Sequence, residues 1–182
     1  MKFIVNTAFD PHFCAIFSEE NKLLSKKVWI ERATDGKNVF DFLKENPAKF
    51  SFCGGVSGPG GFTSLRVSAN VLTSISLVNS IPIHQISAEK FLSSVLGHND
   101  FLLNSFGKAV WKYENNKISR DFIQNIYKEK KWFVNLLPLE KQKEFPNKII
   151  GDLDDIEQKL LECLLETEPV NVFIPHYEVA PV

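Results

Sequence analysis

Short apolar runs separated by polar breaks open the chain. Residues 2–7 (KFIVNT) are rich in β-forming types, residues 13–17 (FCAIF) follow a break at Asp10 and Pro11, and residues 23–30 (LLSKKVWI) return after a polar turn. Three such runs joined by short turns predict an antiparallel meander. Thr34 or Asp35 then caps a helix reaching about Glu45, with Val39, Phe40 and Leu43 on its apolar face and Pro47 ending it. Residues 50–56 (FSFCGGV) are nearly all apolar, the pattern of a strand buried on both faces. Beyond a glycine-rich bend the pattern is ambiguous: Val67, Ala69 and Val71 alternate as in a strand, while Leu65, Ala69, Leu72 and Ile75 repeat as in a helix. The next segment decides for the helix, because residues 81–86 (IPIHQI) read as a strand and parallel neighbours need a helix between them. Ser87 caps a further helix that ends at Gly97.

From about Asn99 the texture changes. Residues 100–107 and 108–117 look like the two strands of a hairpin, and residues 119–133 mix charge with aromatics as an exposed helix or loop would. Residues 148–153 are a short element. Residues 154–168 form an amphipathic helix through Ile156, Leu160 and Leu164, and residues 170–177 (VNVFIPHY) close the chain as a strand. A second lobe of this size supplies few kcal/mol by its own core, so it is expected to lean on the first.

Composition narrows the class. The sequence has 182 residues, 44% hydrophobic and 24% charged, which suits one large domain or two small lobes of a soluble globular protein. A net charge of -1 argues against a protein that holds nucleic acid by its own field. There is no apolar leader with a cleavage site and no run of membrane-spanning length, so a cytoplasmic location is expected. Cys14, Cys53 and Cys163 are odd in number and widely spaced, the usage of reduced core thiols.

The bend itself, GPGGFTSLR at residues 58–66, has chemistry worth weighing. Pro59 and Gly60 suit the second and third positions of a type II turn, and Gly61 or Thr63 can cap the helix beyond. No lysine follows as a P-loop requires, and the third glycine of GxGxxG falls on Thr63. The nonapeptide does resemble the GPGSFTGLR signature of the TsaB-like (YeaZ-type) family, non-catalytic partners of the TsaD enzyme in making threonylcarbamoyladenosine in tRNA. FIPHYE at residues 173–178 is similar to that family's terminal Pro-x-Tyr, giving Pro175 and Tyr177. The resemblance implies an α/β fold, with a ribonuclease H-like lobe of the actin, sugar-kinase and Hsp70 ATPase superfamily at residues 1–98. A reduced second α/β lobe at 99–182 follows, with the C-terminal strand docking back. Residues 99–151 match the family poorly.

The candidate chemistry is sparse. Asn6 stands where nucleotide-binding members of the superfamily carry a carboxylate, so it brings no charge to a cation. His12, His84, His98 and His176 are scattered, without the HxxxH pair of TsaD-like enzymes, and ERATDGKN lacks the histidine that TsaB-like chains have at the first helix. Ser57, Thr63, Ser64 and Ser68 offer hydroxyls with no base and orienting acid beside them in sequence. No catalytic residue, cofactor or metal is expected. The loop set is Gly58, Pro59, Gly60, Gly61, Phe62, Thr63 and Arg66, with Phe62 filling the core and Arg66 unassigned. Ser64 and Ser68, in place of family glycines, join Val71 and Ile75 in a small-sided stripe. It is an ordinary core face by pattern alone, and a TsaD-like partner's docking surface by the resemblance. The implied function is a non-catalytic scaffold that dimerises with a TsaD-like paralogue, is joined by a TsaE-like ATPase, and meets tRNA only through the complex. The alternative is a small ATP- or sugar-phosphate-binding enzyme using the glycine loop as an anion cradle. Nothing in the chain supports a peptidase site, a label sometimes attached to the family.

Overall fold

The computed structural model describes residues 1–97, 100–105, 107–126, 130–134, 136–149 and 153–177. His98, Glu178 and parts of the predicted segments 100–107, 119–133 and 148–153 lie outside the described residues. Strands β1 (Lys2–Asn6), β2 (His12–Phe17) and β3 (Leu23–Trp29) form the expected antiparallel meander, with Val5 opposite Cys14 and Cys14 opposite Lys27. A 3-10 turn, Arg32–Thr34, leads into helix α1 (Asp35–Glu45). Neither expected cap acts as one: the Thr34 hydroxyl donates back to the Glu31 carbonyl, and the Asp35 carboxylate is drawn into the protein.

Val39 and Phe42 carry the buried face of α1, with Leu43 packed beside them, whereas Phe40 is 66% exposed. The correction follows from helix geometry, since positions three and four beyond Val39 share its face and the adjacent residue lies about 100° round. Strand β4 (Phe52–Val56) is buried throughout and runs parallel to β1. Helix α2 (Phe62–Asn79) follows, ending at Ser80 with φ 55°, and β5 (Ile83–Ile86) returns parallel to β4. The helical reading of 62–79 therefore stands. The sheet order is β3-β2-β1-β4-β5. Phe3, Val5, Cys14, Ile16 and Cys53 form one core with Val39 and Phe42 of α1 and Leu72 and Ile75 of α2. Helix α3 (Ala88–Leu96) carries the chain out of this unit.

The second compact unit, Leu92–Asp154, contains a separate mixed sheet. Its strands are β6 (Phe101–Asn104), β7 (Ala109–Glu114), β8 (Lys117–Phe122), β9 (Trp132–Phe133) and, after the short helix α4 (Leu139–Gln142), β10 (Lys148–Ile149). The order is β10-β9-β6-β7-β8. The expected β6–β7 hairpin is present. Residues 117–122 are a third strand rather than exposed helix or loop, because Asn115 and Asn116, at φ 52° and 59°, make a tight reversal of the kind that joins twisted strands. Leu102, Val110, Trp132, Val134 and Phe145 are among its core residues.

Helix α5 (Ile156–Leu165) belongs to the first unit, which comprises Met1–Phe91 with Asp155–Val182. The division thus differs from the expected 1–98 and 99–182, because the apolar face of α5 closes the far side of the first sheet. Leu164 reaches Gly54, and Glu157 pairs with Lys26 of β3. The closing strand expected at 170–177 is a single antiparallel bridge between Val170 and Ile83. From there to Tyr177 the chain is irregular, consistent with Pro175 having no N–H to give a ladder. Among the described residues no helix is long and apolar enough to cross a membrane. Phe42→Ala is expected to cost about 3–5 kcal/mol in urea unfolding and Phe40→Ala under about 0.5 kcal/mol. Comparable losses would mean that the buried face of α1 is wrongly assigned.

Candidate functional site

The C-terminal ends of β1 and β4 meet the glycine bend and the start of α2. This is the edge of an open α/β sheet where strand direction changes, the place at which such folds build sites. The Thr7 hydroxyl donates to the Ser64 carbonyl at 2.7 Å, and its oxygen lies 2.7 Å from the Ser68 hydroxyl. One N-terminal threonine thereby fastens the first turn of α2 to the end of β1. Asn6 is fully buried, its amide donating to the Phe9 and Pro11 carbonyls while its oxygen accepts from the Ala8 amide. It holds the β1–β2 turn in shape with every polar atom engaged.

The bend differs from a type II turn at Pro59 and Gly60. The positive φ falls on Gly58, at 116°, and the Gly58–Pro59 peptide is cis. Gly60 serves close approach instead: a Cβ there would stand 2.6 Å from the Ala8 carbonyl oxygen. Gly61 is the helix N-cap residue, in extended conformation and without a side-chain bond. Phe62 does not fill the core. It is 42% exposed, 4.8 Å from the Tyr177 ring, and the Arg66 guanidinium lies 4.9 Å over its face. Thr63 is exposed and Ser57 buried against the Ile86 carbonyl. The tail reaches the bend through the His176 amide, which donates to the Ser57 carbonyl at 2.6 Å.

A buried polar cluster that sequence reasoning missed stands beside the bend. His12 Nδ1 lies 2.7 Å from Asp35 Oδ1, and the Trp29 indole donates to the same oxygen at 2.6 Å. His12 Nε2 is 3.5 Å from Asp10 Oδ1, and Arg32 clasps Asp10 at 3.0 and 3.4 Å. Burial pushes the Asp35 carboxyl up, but the His12 bond and charge, with the Ser64 hydroxyl and Trp29, outweigh it and hold the group below its ordinary value. No local spacing announces a pair 23 residues apart. His84 is engaged elsewhere, with Nδ1 near the Thr167 carbonyl and its ring stacked on Phe52. Among the described residues no group of three or more His, Cys, Asp or Glu is arranged to hold a metal. Burial raises the Cys14 thiol and pushes Cys53 up to about 12, the behaviour of inert core thiols.

The stripe expected to face a partner is corrected. Ser64, Ser68 and Ile75 are buried within the chain's own fold and Val71 is half-buried, because Thr7 draws the two serines inward. The outward flank of α2 carries Arg66, Asn70, Ser74, Leu77 and Val78, the last two 76% and 84% exposed.

The first unit, an antiparallel meander continued by two parallel strands with crossover helices, has the ribonuclease H-like α/β fold expected from the sequence, and a second unit with its own mixed sheet accompanies it. No protein-family model matches the sequence, and no curated protein matches it. Among solved structures, the chain is similar to an uncharacterized protein with similarity to peptidase YEAZ from Pseudomonas aeruginosa. The two are 13% identical with a TM-score of 0.61, covering 97% of this chain and 98% of that one. YeaZ from Pseudomonas aeruginosa is 14% identical with a TM-score of 0.60, over the same shares. The likeness is one of fold across the whole length.

Gly60→Ala is expected to lower the urea midpoint substantially, whereas Gly61→Ala, whose φ of -62° suits alanine and whose nearest atom would be 3.4 Å away, costs about 1 kcal/mol or less. Equal effects would refute the close-approach role of Gly60. Asp35 contributes stability that is present above an unfolded carboxyl value of about 3.9 and lost as pH falls through its lower folded value. Asp35→Asn is therefore expected to destabilise by about 3 kcal/mol at neutral pH, with the gap to wild type closing below about pH 4. Denaturant unfolding across that range checks it.

Proposed function

We propose that this chain is a non-catalytic TsaB-like scaffold that pairs with a TsaD-like paralogue in the threonylcarbamoyladenosine modification of tRNA. The observation that carries the reading is the agreement between a full-length YeaZ-like fold and the GPGGFTSLR bend at the start of α2. The partner supplies metal and chemistry, and tRNA is held through the complex. Two features support a scaffold over a nucleotide enzyme. Asn6 stands in the carboxylate's place with its amide committed to the β1–β2 turn. Both helices of the bend region also leave large apolar groups outside, Phe40 on α1 and Leu77 and Val78 on α2. These exposed positions replace the buried serine stripe as the surface for the partner. A TsaE-like ATPase joins the assembly in this reading.

Co-expression with a TsaD-like protein tests it. Leu77→Arg is expected to abolish co-purification while leaving the unfolding midpoint within about 0.5 kcal/mol of wild type. Ser68→Arg is expected to unfold the chain instead, because the site has no room for a charge. Unimpaired association of Leu77→Arg would remove α2 from the interface. Stabilisation of the free chain by magnesium-ATP, about 2.7 kcal/mol at a hundredfold excess over Kd, would favour the nucleotide enzyme.

A further inference from the structure

His12 is wholly buried between two carboxylates, and a neutral imidazole has only one N–H to give. Asp35 takes that hydrogen at 2.7 Å, which leaves Nε2 with no hydrogen-bond partner and Asp10 Oδ1 at 3.5 Å. With a second proton the imidazolium faces both carboxylates as a donor. The charges then balance: Asp10 on the β1–β2 turn and Asp35 at the head of α1 against Arg32 and His12. From β3 the ring meets the uncharged Trp29, and Lys27 lies further along that strand beside Cys14; α2 contributes the Ser64 hydroxyl to Asp35. We propose that His12 is a protonation-gated clamp: as imidazolium it ties the β1–β2 turn to the start of α1, and losing a proton loosens the turn together with the glycine bend that rests on it.

The coupling to the bend is through contact. Ala8 in the turn abuts Gly60, Thr7 bonds Ser64 and Ser68, and Arg32, which clasps Asp10, reaches to 3.8 Å from the position a Cβ would take on Gly61. Loss of the proton leaves the buried Asp35 carboxylate facing a neutral ring, an arrangement that favours opening toward water. The inference concerns the free chain and does not depend on the partner proposed above.

Nitrogen-detected NMR of the imidazole, paired with backbone amide exchange corrected for intrinsic rates, tests it on the full chain between about pH 5.5 and 8.5. His12 is expected to pass from two protonated nitrogens to one. Protection of amides 7–12, 35–39 and 58–66 is expected to fall about tenfold or more with the same midpoint, while β4 amides hold. His12→Gln, which cannot titrate, is expected to flatten the exchange profile, and His84→Gln to leave it unchanged. An imidazole singly protonated throughout, an exchange profile flat through its titration, or a fall that persists in His12→Gln would each overturn the clamp. If His12→Gln does not fold, coincidence of the two wild-type midpoints decides, and separate midpoints overturn it.

Discussion

The fold turns on the meeting of the end of β1 with the first turn of α2. Thr7 reaches across to the Ser64 carbonyl and the Ser68 hydroxyl, and the Ala8 backbone lies against Gly60 so closely that no side chain fits between. These contacts join the first strand to a helix more than fifty residues later, and they are buried, where an unmade hydrogen bond costs about 1–3 kcal/mol. They set the direction in which α2 leaves the sheet. Which of its faces is inside follows from that direction.

Once α2 is fixed, the remaining parts fall into place around it. Leu72 and Ile75 meet Val39 and Phe42 over the strands, and α5 closes the opposite side of the same sheet through Leu164 and Glu157. The bend also receives the tail, where His176 donates to Ser57 and Tyr177 covers part of Phe62. The aromatic and cationic groups at the helix start are thereby placed outside, and the serines inside. The exposed flank of α2 accordingly carries apolar and charged groups, and the serine face offers no small-sided groove to a second helix.

The buried histidine cluster adds a different kind of constraint. Its two carboxylates, the His12 ring and the Arg32 guanidinium are directed at one another. Asp35, Asp10, Arg32 and His12 form an internal network beside the bend, and the low-polarity setting makes each member depend on the others.

The order of elements in the first unit was legible from periodicity because strands and helices there obey simple rules. Alternation, a fully apolar β4 and the crossover needed between parallel strands locate the meander, α1, α2 and β5. The sequence also marked the glycine bend and its likeness to the TsaB-like signature. Other features depended on contacts between distant residues. Neighbouring Phe40 and Phe42 are equally apolar, and only packing against the sheet decides which is inside. Ser64 and Ser68 fit a core face by pattern and a docking surface by resemblance, and only the buried bonds of Thr7 to the Ser64 carbonyl and the Ser68 hydroxyl decide for the core. His12 and Asp35 carry no shared motif, since the meander and the head of α1 bring them together. Sequence by itself determined local conformation, where neighbouring side chains and backbone limits act within a few residues. Tertiary structure alone decided burial and pairing, because those energies arise between groups that the chain separates and the fold reunites.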